Sequence, residues 1–337
     1  MISIVEIAKM ARVSKMTVSN VINKKYDKVS QETRERIEKI LAEHNYTPNL
    51  FARNLKSNKS KIVLFAIPQT LENDPNKNST FSNPFYGELI NSVEYNLRKS
   101  GYFLMLRFIT DEEVLNKLIV NWNIDGVVVL GAINREINTV FKNIEVPIVF
   151  VDTYAAESGF DTINVEDYKG AYDAVSYLIE SGKRKIAMAA SSVLEMGVAR
   201  IRYDGYRSAL ENNRIEFQEN WFFEGFPSSE SGEEIGFKIA ARKKDFDAVF
   251  VFSDMMAIGV MKSLRKNKVK IPEDIAIVGF DGLYIGDLIE PRLSTVKQNI
   301  VAKGEKVVEV LLRKVQGHSS EIEQVVLPVE LLKKESV

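Results

Sequence analysis

Two apolar periods divide the chain. Near the N-terminus hydrophobic positions recur at helical spacing: Ile4, Ile7, Ala8 and Ala11, then, after a break at Arg12-Val13, Val18, Val21 and Ile22. Ser3 with Glu6 fits a capping box, in which each side chain satisfies an orphan backbone N–H. Ser14 suits the N-cap of the second helix, with Thr17 in its first turn. A third helix is predicted over 30–44, where Ile37, Ile40 and Leu41 close a small core. Two short helices facing each other across a tight turn form a helix-turn-helix, whose second helix enters the DNA major groove.

From Lys61 onward the period changes. Short β-rich apolar runs at 62–67, 103–108, 126–130, 147–151, 185–190, 248–252 and 275–280 alternate with amphipathic stretches such as 86–100, 168–181, 198–212 and 255–267. Continuous Val/Ile/Phe runs imply strands buried on both faces, hence parallel sheets covered by helices. The fold class is therefore α/β: an all-α helix-turn-helix head on a doubly wound body that binds ligands beyond the C-terminal ends of its strands. The βα units exceed one comfortable sheet, so a division into two lobes is predicted near Ile163. Val296-Lys297-Gln298, followed by a helix over 301–316 and a late strand, suggests that the chain crosses back between lobes. The expected domains are a head over 1–46, a hinge helix and linker over 47–60, and a ligand-binding and dimerisation body over 61–337. Its first lobe spans about 61–163 plus 299–323, and its second about 164–298 plus 324–335. The irregular stretch 69–82, rich in Asn, Pro, Ser and Thr, is expected to be a mobile loop at the mouth of the first lobe.

Charge sharpens this division. Through Lys61 there are 13 Lys+Arg against 6 Asp+Glu, a net of +7, while the remainder holds 32 basic and 40 acidic groups, a net of −8. The whole-chain value of −1 conceals a basic end on an acidic body, which is what phosphate binding by the head requires. The chain has no cysteine, which excludes disulfides, thiolate metal sites and cysteine nucleophiles. Only His44 and His318 are present, in no metal-ligand spacing, and His44 is expected at the exposed end of the third helix. No Walker loop, no GxGxxG after a strand and no Ser-His-Asp set appears, so neither enzyme activity nor a cofactor or metal is expected. No apolar run reaches the roughly 18 residues of a membrane span. The start lacks the features of a signal peptide, so a cytoplasmic protein is expected.

With these residues in place, the chain resembles the lactose-repressor/galactose-repressor (LacI/GalR) family of bacterial transcription regulators along nearly its whole length. The head matches in Ile7-Ala8, Ala11, Val13-Ser14, Thr17-Val18-Ser19 and Val21-Ile22-Asn23, and the link in Asn45-Tyr46-Thr47-Pro48-Asn49 and Ala52-Arg53-Asn54-Leu55. The body matches in Asn83-Pro84-Phe85-Tyr86, Phe150-Val151-Asp152, Arg202-Tyr203-Asp204-Gly205-Tyr206, Ser253-Asp254-Met255-Met256-Ala257-Ile258-Gly259, Gly279-Phe280-Asp281 and the string from Pro291 to Gln298. The resemblance implies a homodimeric, ligand-responsive repressor with a body like periplasmic sugar-binding proteins. A dimer rather than a tetramer is expected, because no leucine-heptad tail follows the last strand.

For the DNA side, the resemblance implies contacts at Ser14, Lys15, Met16, Thr17, Ser19, Asn20 and Asn23 on and beside the second helix. Asn pairs bidentately with adenine and Lys donates to guanine, while Met16 offers only apolar contact. Lys15 has phosphate as an alternative partner. Relatives mostly carry Arg at Asn20 and a small residue at Arg12, so the operator sequence does not carry over. The segment 49–56 reads as a short helix, disordered when free and helical when paired on DNA. There Ala52 and Leu55 would face the minor groove, and Arg53 and Lys56 would meet phosphates. The alternative for Leu55 is ordinary packing on the body.

On the ligand side, Asp152, Ser253 and Asp281 follow predicted strands, Arg202 lies in the first turns of a helix, and Phe85 or Tyr86 offers an aromatic face to a sugar. The resemblance places ligand contacts at Phe85, Asp152, Arg202, Ser253, Asp281 and Gln298. Alternatives stand beside these: Asp254 as N-cap of the following helix, Asp152 holding the lobe-connecting loops, Phe85 as core. The expected function is an operator-binding repressor controlled by a sugar or related metabolite. Two alternatives are a global regulator controlled by a phosphorylated protein partner and a repressor with a purine-type corepressor. Relatives controlled by a protein tend to carry Lys where Arg202 stands, which favours the sugar. Effector identity, inducer or corepressor sense, operator and regulated genes stay open at this point.

Overall fold

The computed structural model describes residues 2–46, 59–68, 83–154, 159–194 and 196–337, which fall into two compact units meeting in sequence at Ser60 and Lys61. The first contains α1 (Ile4–Met10), α2 (Lys15–Ile22) and α3 (Gln31–Glu43). Both halves of the capping box form: the Ser3 N–H donates to Glu6 Oε2 at 2.7 Å and the Glu6 N–H to Ser3 Oγ at 3.3 Å. Ser14 Oγ accepts the Thr17 N–H at 3.1 Å and starts α2. Between them Arg12 takes φ of +52°, a left-handed turn that favours glycine over a residue with a Cβ. Ile7, Ala8, Ala11, Val18, Val21 and Ile37 are buried, ringed by half-buried Ile4, Ile22, Ile40 and Leu41. His44 caps the C-terminal end of α3 and is exposed.

The second unit begins with β1 (Ile62–Pro68), α4 (Pro84–Lys99), β2 (Phe103–Ile109), α5 (Glu112–Trp122) and β3 (Gly126–Leu130). Helical turns over 134–141, β4 (Ile148–Val151) and β5 (Asp161–Val165) follow. The chain continues through α6 (Asp167–Glu180), β6 (Ile186–Ala190), α7 (Val198–Asn212), β7 (Phe222–Glu224), α8 (Ser229–Ala241) and β8 (Ala248–Val251). It ends with α9 (Asp254–Lys266), β9 (Ala276–Asp281), β10 (Ser294–Gln298), α10 (Ile300–Val315), β11 (Gln324–Leu327) and β12 (Val329–Leu332).

Among the described residues these strands form two six-stranded sheets, ordered β11-β5-β4-β3-β1-β2 and β12-β10-β9-β8-β6-β7. Every pairing is parallel except β12 with β10. The central strands β1, β3, β4, β6, β8 and β9 are buried along their whole length, as the uninterrupted apolar runs require. Helix α6 packs on α7 and the second sheet, whereas α10 packs on α4 and the first. The chain therefore passes between sheets after β5, after β10 and after β11.

Two expectations about the lobes are corrected. The segment 324–327 was expected in the second lobe, but β11 pairs with β5 in the first sheet, Val325 opposite Ile163. Its alternating exposure suits either sheet edge equally, and the change of sheet falls at Pro328, which donates no ladder hydrogen bond. The expected boundary at Ile163 also cuts through β5. That strand carries Asp161, Thr162 and Asn164, all buried, so its polar composition hid it from a hydrophobic pattern. No helix among the described residues is long and apolar enough to cross a membrane.

Candidate functional site

The C-terminal ends of β3 and β4 from the first sheet and β6 to β10 from the second open on one cavity of about 660 Å³. Phe85, Tyr86, Asp152, Arg202, Ser253, Asp281 and Gln298, all expected from sequence, line it together. Asn83 caps α4 by accepting the Phe85 N–H at 3.0 Å, and its Nδ2 reaches the Pro227 carbonyl of the other lobe at 3.4 Å. Phe85 and Tyr86 meet edge to face, 5.4 Å between centroids, and belong both to the first-lobe core and to the cavity wall. The two readings of Phe85 thus describe one position.

Arg202 sits one turn into α7 and is 4% exposed. Gly205, on the same helix, lets α7 approach α6 closely: a Cβ there would lie 2.3 Å from the Tyr168 carbonyl oxygen. That approach brings Arg202 Nε within 2.7 Å of Asp167 Oδ1 at the start of α6. Arg202 Nη1 donates to the Phe252 carbonyl and lies 3.7 Å from Asp281 Oδ1, and the guanidinium stacks 3.5 Å from the centroid of Phe280. Burial works against the charge of Arg202, but Asp167 and Asp281 more than offset it and hold the group further toward its cationic form. The Tyr154 hydroxyl donates to Asp167 Oδ2 at 2.5 Å. Burial and the neighbouring Asp167 raise that phenol, keeping it a donor.

Two carboxylates at strand ends sit in left-handed backbone, Asp152 just after β4 at φ +52° and Asp281 closing β9 at φ +128°. Such strained positions persist where the surrounding structure over-determines them, often at ligand clamps. Burial pushes the Asp281 carboxyl up to about 6, against the pull of Arg202 and the Gln298 amide. Burial likewise raises Asp152, opposed by Lys303. The N-cap of α9 is Ser253 rather than Asp254: the Ser253 hydroxyl accepts the Met256 N–H at 3.4 Å. The Asp254 carboxyl instead turns inward, accepting the Thr295 hydroxyl at 2.6 Å and the Leu283 N–H at 2.8 Å, and burial pushes it well up.

On the separate head, Lys15, Met16 and Asn23 are exposed, and Ser19 and Asn20 are half-exposed along α2. Ser14 and Thr17 share a 2.9 Å hydroxyl contact, and Asn23 Nδ2 donates to the Ser19 carbonyl at 2.8 Å and to its hydroxyl at 3.2 Å. These four side chains thus already have partners within the head, which leaves Lys15, Met16 and Asn20 as its outward chemistry. Ala52, Arg53, Leu55 and Lys56, and the loop 69–82, lie outside the described residues.

A model for bacterial regulatory proteins of the lacI family matches residues 3–49, and a periplasmic binding protein-like domain matches 175–337. The HTH-type transcriptional repressor PurR of Histophilus somni is 30% identical over 343 residues, covering 100% of this chain and 99% of its own. The chain belongs to the lacI family of bacterial regulatory proteins. Among solved structures, a CelR transcriptional regulator in complex with cellobiose is 26% identical with a TM-score of 0.74, each chain fully covered. A lac repressor dimer bound to operator and the anti-inducer ONPF shares the fold at 24% identity and a TM-score of 0.85, with 99% and 98% covered. This family member is a DNA-binding repressor with an effector-binding body, and its relatives are transcriptional regulators, not enzymes.

The sequence reading missed the lining residues Asn83, Arg135, Ser191, Ser192 and Glu224, and three polar residues beside the lining: Asp167, Tyr154 and Lys303. Asp167 follows the strand hidden by its own polar residues, and Tyr154 lies in the turn after β4. Lys303 left a signal, since it falls on the stripe of Ile300, Gly304, Val307, Val308 and Leu311 that α10 buries. A lysine at a core position of an amphipathic helix calls for a partner.

Proposed function

We propose that this repressor is controlled by a neutral sugar bound between its lobes. The observation that carries the reading is the pairing of charges around the cavity. Arg202 is matched by Asp167 and Lys303 by Asp152, so neither buried cation is left over for an anionic group, and the one other cation among the lining residues, Arg135, is exposed to solvent. Asp281 and Asp152 offer carboxylate oxygens to hydroxyl donors, and Phe85 and Tyr86 offer an apolar face. The volume fits the roughly 300–1,000 Å³ of small-molecule sites. The cellobiose held by CelR supports the same ligand class.

Control follows from differential affinity. A sugar that prefers one arrangement of the two lobes shifts the population toward it, and only that preference moves the DNA-binding equilibrium. The repressor acts in the cytoplasm, and it does so as a homodimer, because a two-fold pair of heads fills both halves of a pseudo-palindromic operator. Lys15, Met16 and Asn20 of α2 read base edges, with the head over 1–46, a linker over 47–60 and the body from 61. The test is a calorimetric screen of neutral sugars, sugar phosphates and nucleobases against the full chain. Neutral sugars are expected to bind; binding by nucleobases or sugar phosphates alone contradicts the reading.

A further inference from the structure

Lys303 is fully buried on α10. Its ammonium donates to Asp152 Oδ1 at 2.6 Å and to Gln298 Oε1 at 2.5 Å, and lies 5.3 Å from the centroid of the Phe85 ring. All three partners line the cavity, and Lys303 stands behind them. A glutamine amide has an acceptor end and a donor end, and its neighbours decide which way it points. With Oε1 held by the ammonium, Gln298 turns Nε2 toward Asp281 and donates to Oδ1 at 2.8 Å. Asp152 follows β4 of the first sheet and Gln298 ends β10 of the second, so one ammonium ties strand ends of both lobes. A leucine or methionine would fill the same apolar stripe without the cost of a buried charge. The cation is explained by the groups it holds.

We propose that Lys303 is a positioning residue for the effector site, which keeps Asp152 a hydroxyl acceptor and turns Gln298 toward Asp281, and so fixes the hydrogen-bonding pattern a sugar meets. This rests on the sugar reading above for its ligand, but not for its geometry. A site built to pair with particular hydroxyls rejects analogues lacking them, because its buried polar groups are then left unpaired. The groups that act on Asp152 are Lys303 from α10, Arg202 from α7 and Asp167 from α6, with Tyr154 sensing it from the turn after β4. Burial disfavours the Asp152 carboxylate, and Lys303 is its strongest counterweight.

The experiment follows aspartate ¹³C resonances of the full chain through a pH titration in wild type, Lys303→Met, Lys303→Arg and Lys303→Met/Asp152→Asn, with Asp152→Asn assigning the signal. Removing the cation is expected to move the Asp152 midpoint to higher pH by about 1–3 pH units. Lys303→Arg is expected to keep it near the wild-type value. Glucose, ribose and cellobiose are titrated calorimetrically into the same proteins. For whichever binds wild type, Lys303→Met is expected to lose about tenfold or more in affinity, more so at lower pH. A folded Lys303→Met with unchanged Asp152 midpoint and unchanged sugar affinity overturns the proposal. If none of the three sugars binds wild type, the sugar reading suffers while the Asp152 midpoint still decides the role of Lys303. If Lys303→Met does not fold, recovery of folding in the double variant supports the charge pairing, and equal failure of the double variant overturns it.

Discussion

Asp281 joins a strained backbone to a displaced titration. Its φ is +128° and burial pushes its carboxyl up to about 6, compared with the ordinary 3.8. A sugar hydroxyl that donates to this carboxyl binds the ionised form. Affinity should therefore hold above about pH 6 and weaken below it by up to about tenfold per pH unit. Calorimetric titrations from about pH 8 to about pH 5 would show this slope, and Asp281→Asn should flatten it. Without ligand the sign reverses for folding, because the folded state keeps this proton longer than the unfolded chain. The contribution of Asp281 to stability is thus most favourable below the ordinary carboxylate range and declines as pH rises through about 6. Arg202 gives a sharper test. Arg202→Leu strands Asp167 and Asp281 in a dry site, and breaking such a buried pair costs about 3–5 kcal/mol. Denaturant unfolding should show that loss, with partial recovery when Asp167→Asn is added.

Among the elements, the α6–α7 pair links packing to the site. Gly205 leaves room for the Tyr168 carbonyl, and the resulting approach sets the 2.7 Å contact between Arg202 and Asp167. Gly205→Ala should cost about 1–3 kcal/mol through overpacking and lower sugar affinity with it, read by thermal unfolding and calorimetry. In the head, Arg12 is held at φ +52°, so Arg12→Gly should stabilise α1–turn–α2 by up to about 1 kcal/mol. Amide hydrogen exchange in the head of the full chain measures this. These elements also show what was legible in the sequence. Ser3 and Glu6 announced the first cap, and runs such as Val127-Val128-Val129 announced buried parallel strands. Acids and serines directly after such runs marked the cavity, because a strand end points its next side chain into the cleft. The polar strand Asp161–Val165 stayed hidden, since its burial depends on partners such as the Glu323 carbonyl and the Thr153 backbone, far away or across a turn. Asp254 misled for a related reason: local cap chemistry fits it, but Thr295 and Leu283, distant in sequence, claim its carboxyl.

Across the whole molecule, a head region with net charge +7 is joined to a body at −8. Each phosphate neutralised by such heads releases counterions and adds about −0.9 to the slope of log affinity against log salt. Operator affinity should fall steeply with salt, whereas neutral-sugar affinity should hardly change; a flat operator response would remove the basic-head argument. The body's role rests on coupling between its cleft and the DNA. The most direct measurement is fluorescence anisotropy of an operator fragment titrated with wild type and with Arg202→Ala, each with and without a saturating sugar shown by calorimetry to bind. The sugar should shift wild-type operator affinity by about 5- to 150-fold and leave the variant unmoved. Wild-type operator affinity that ignores a sugar already bound in the cleft would contradict the account.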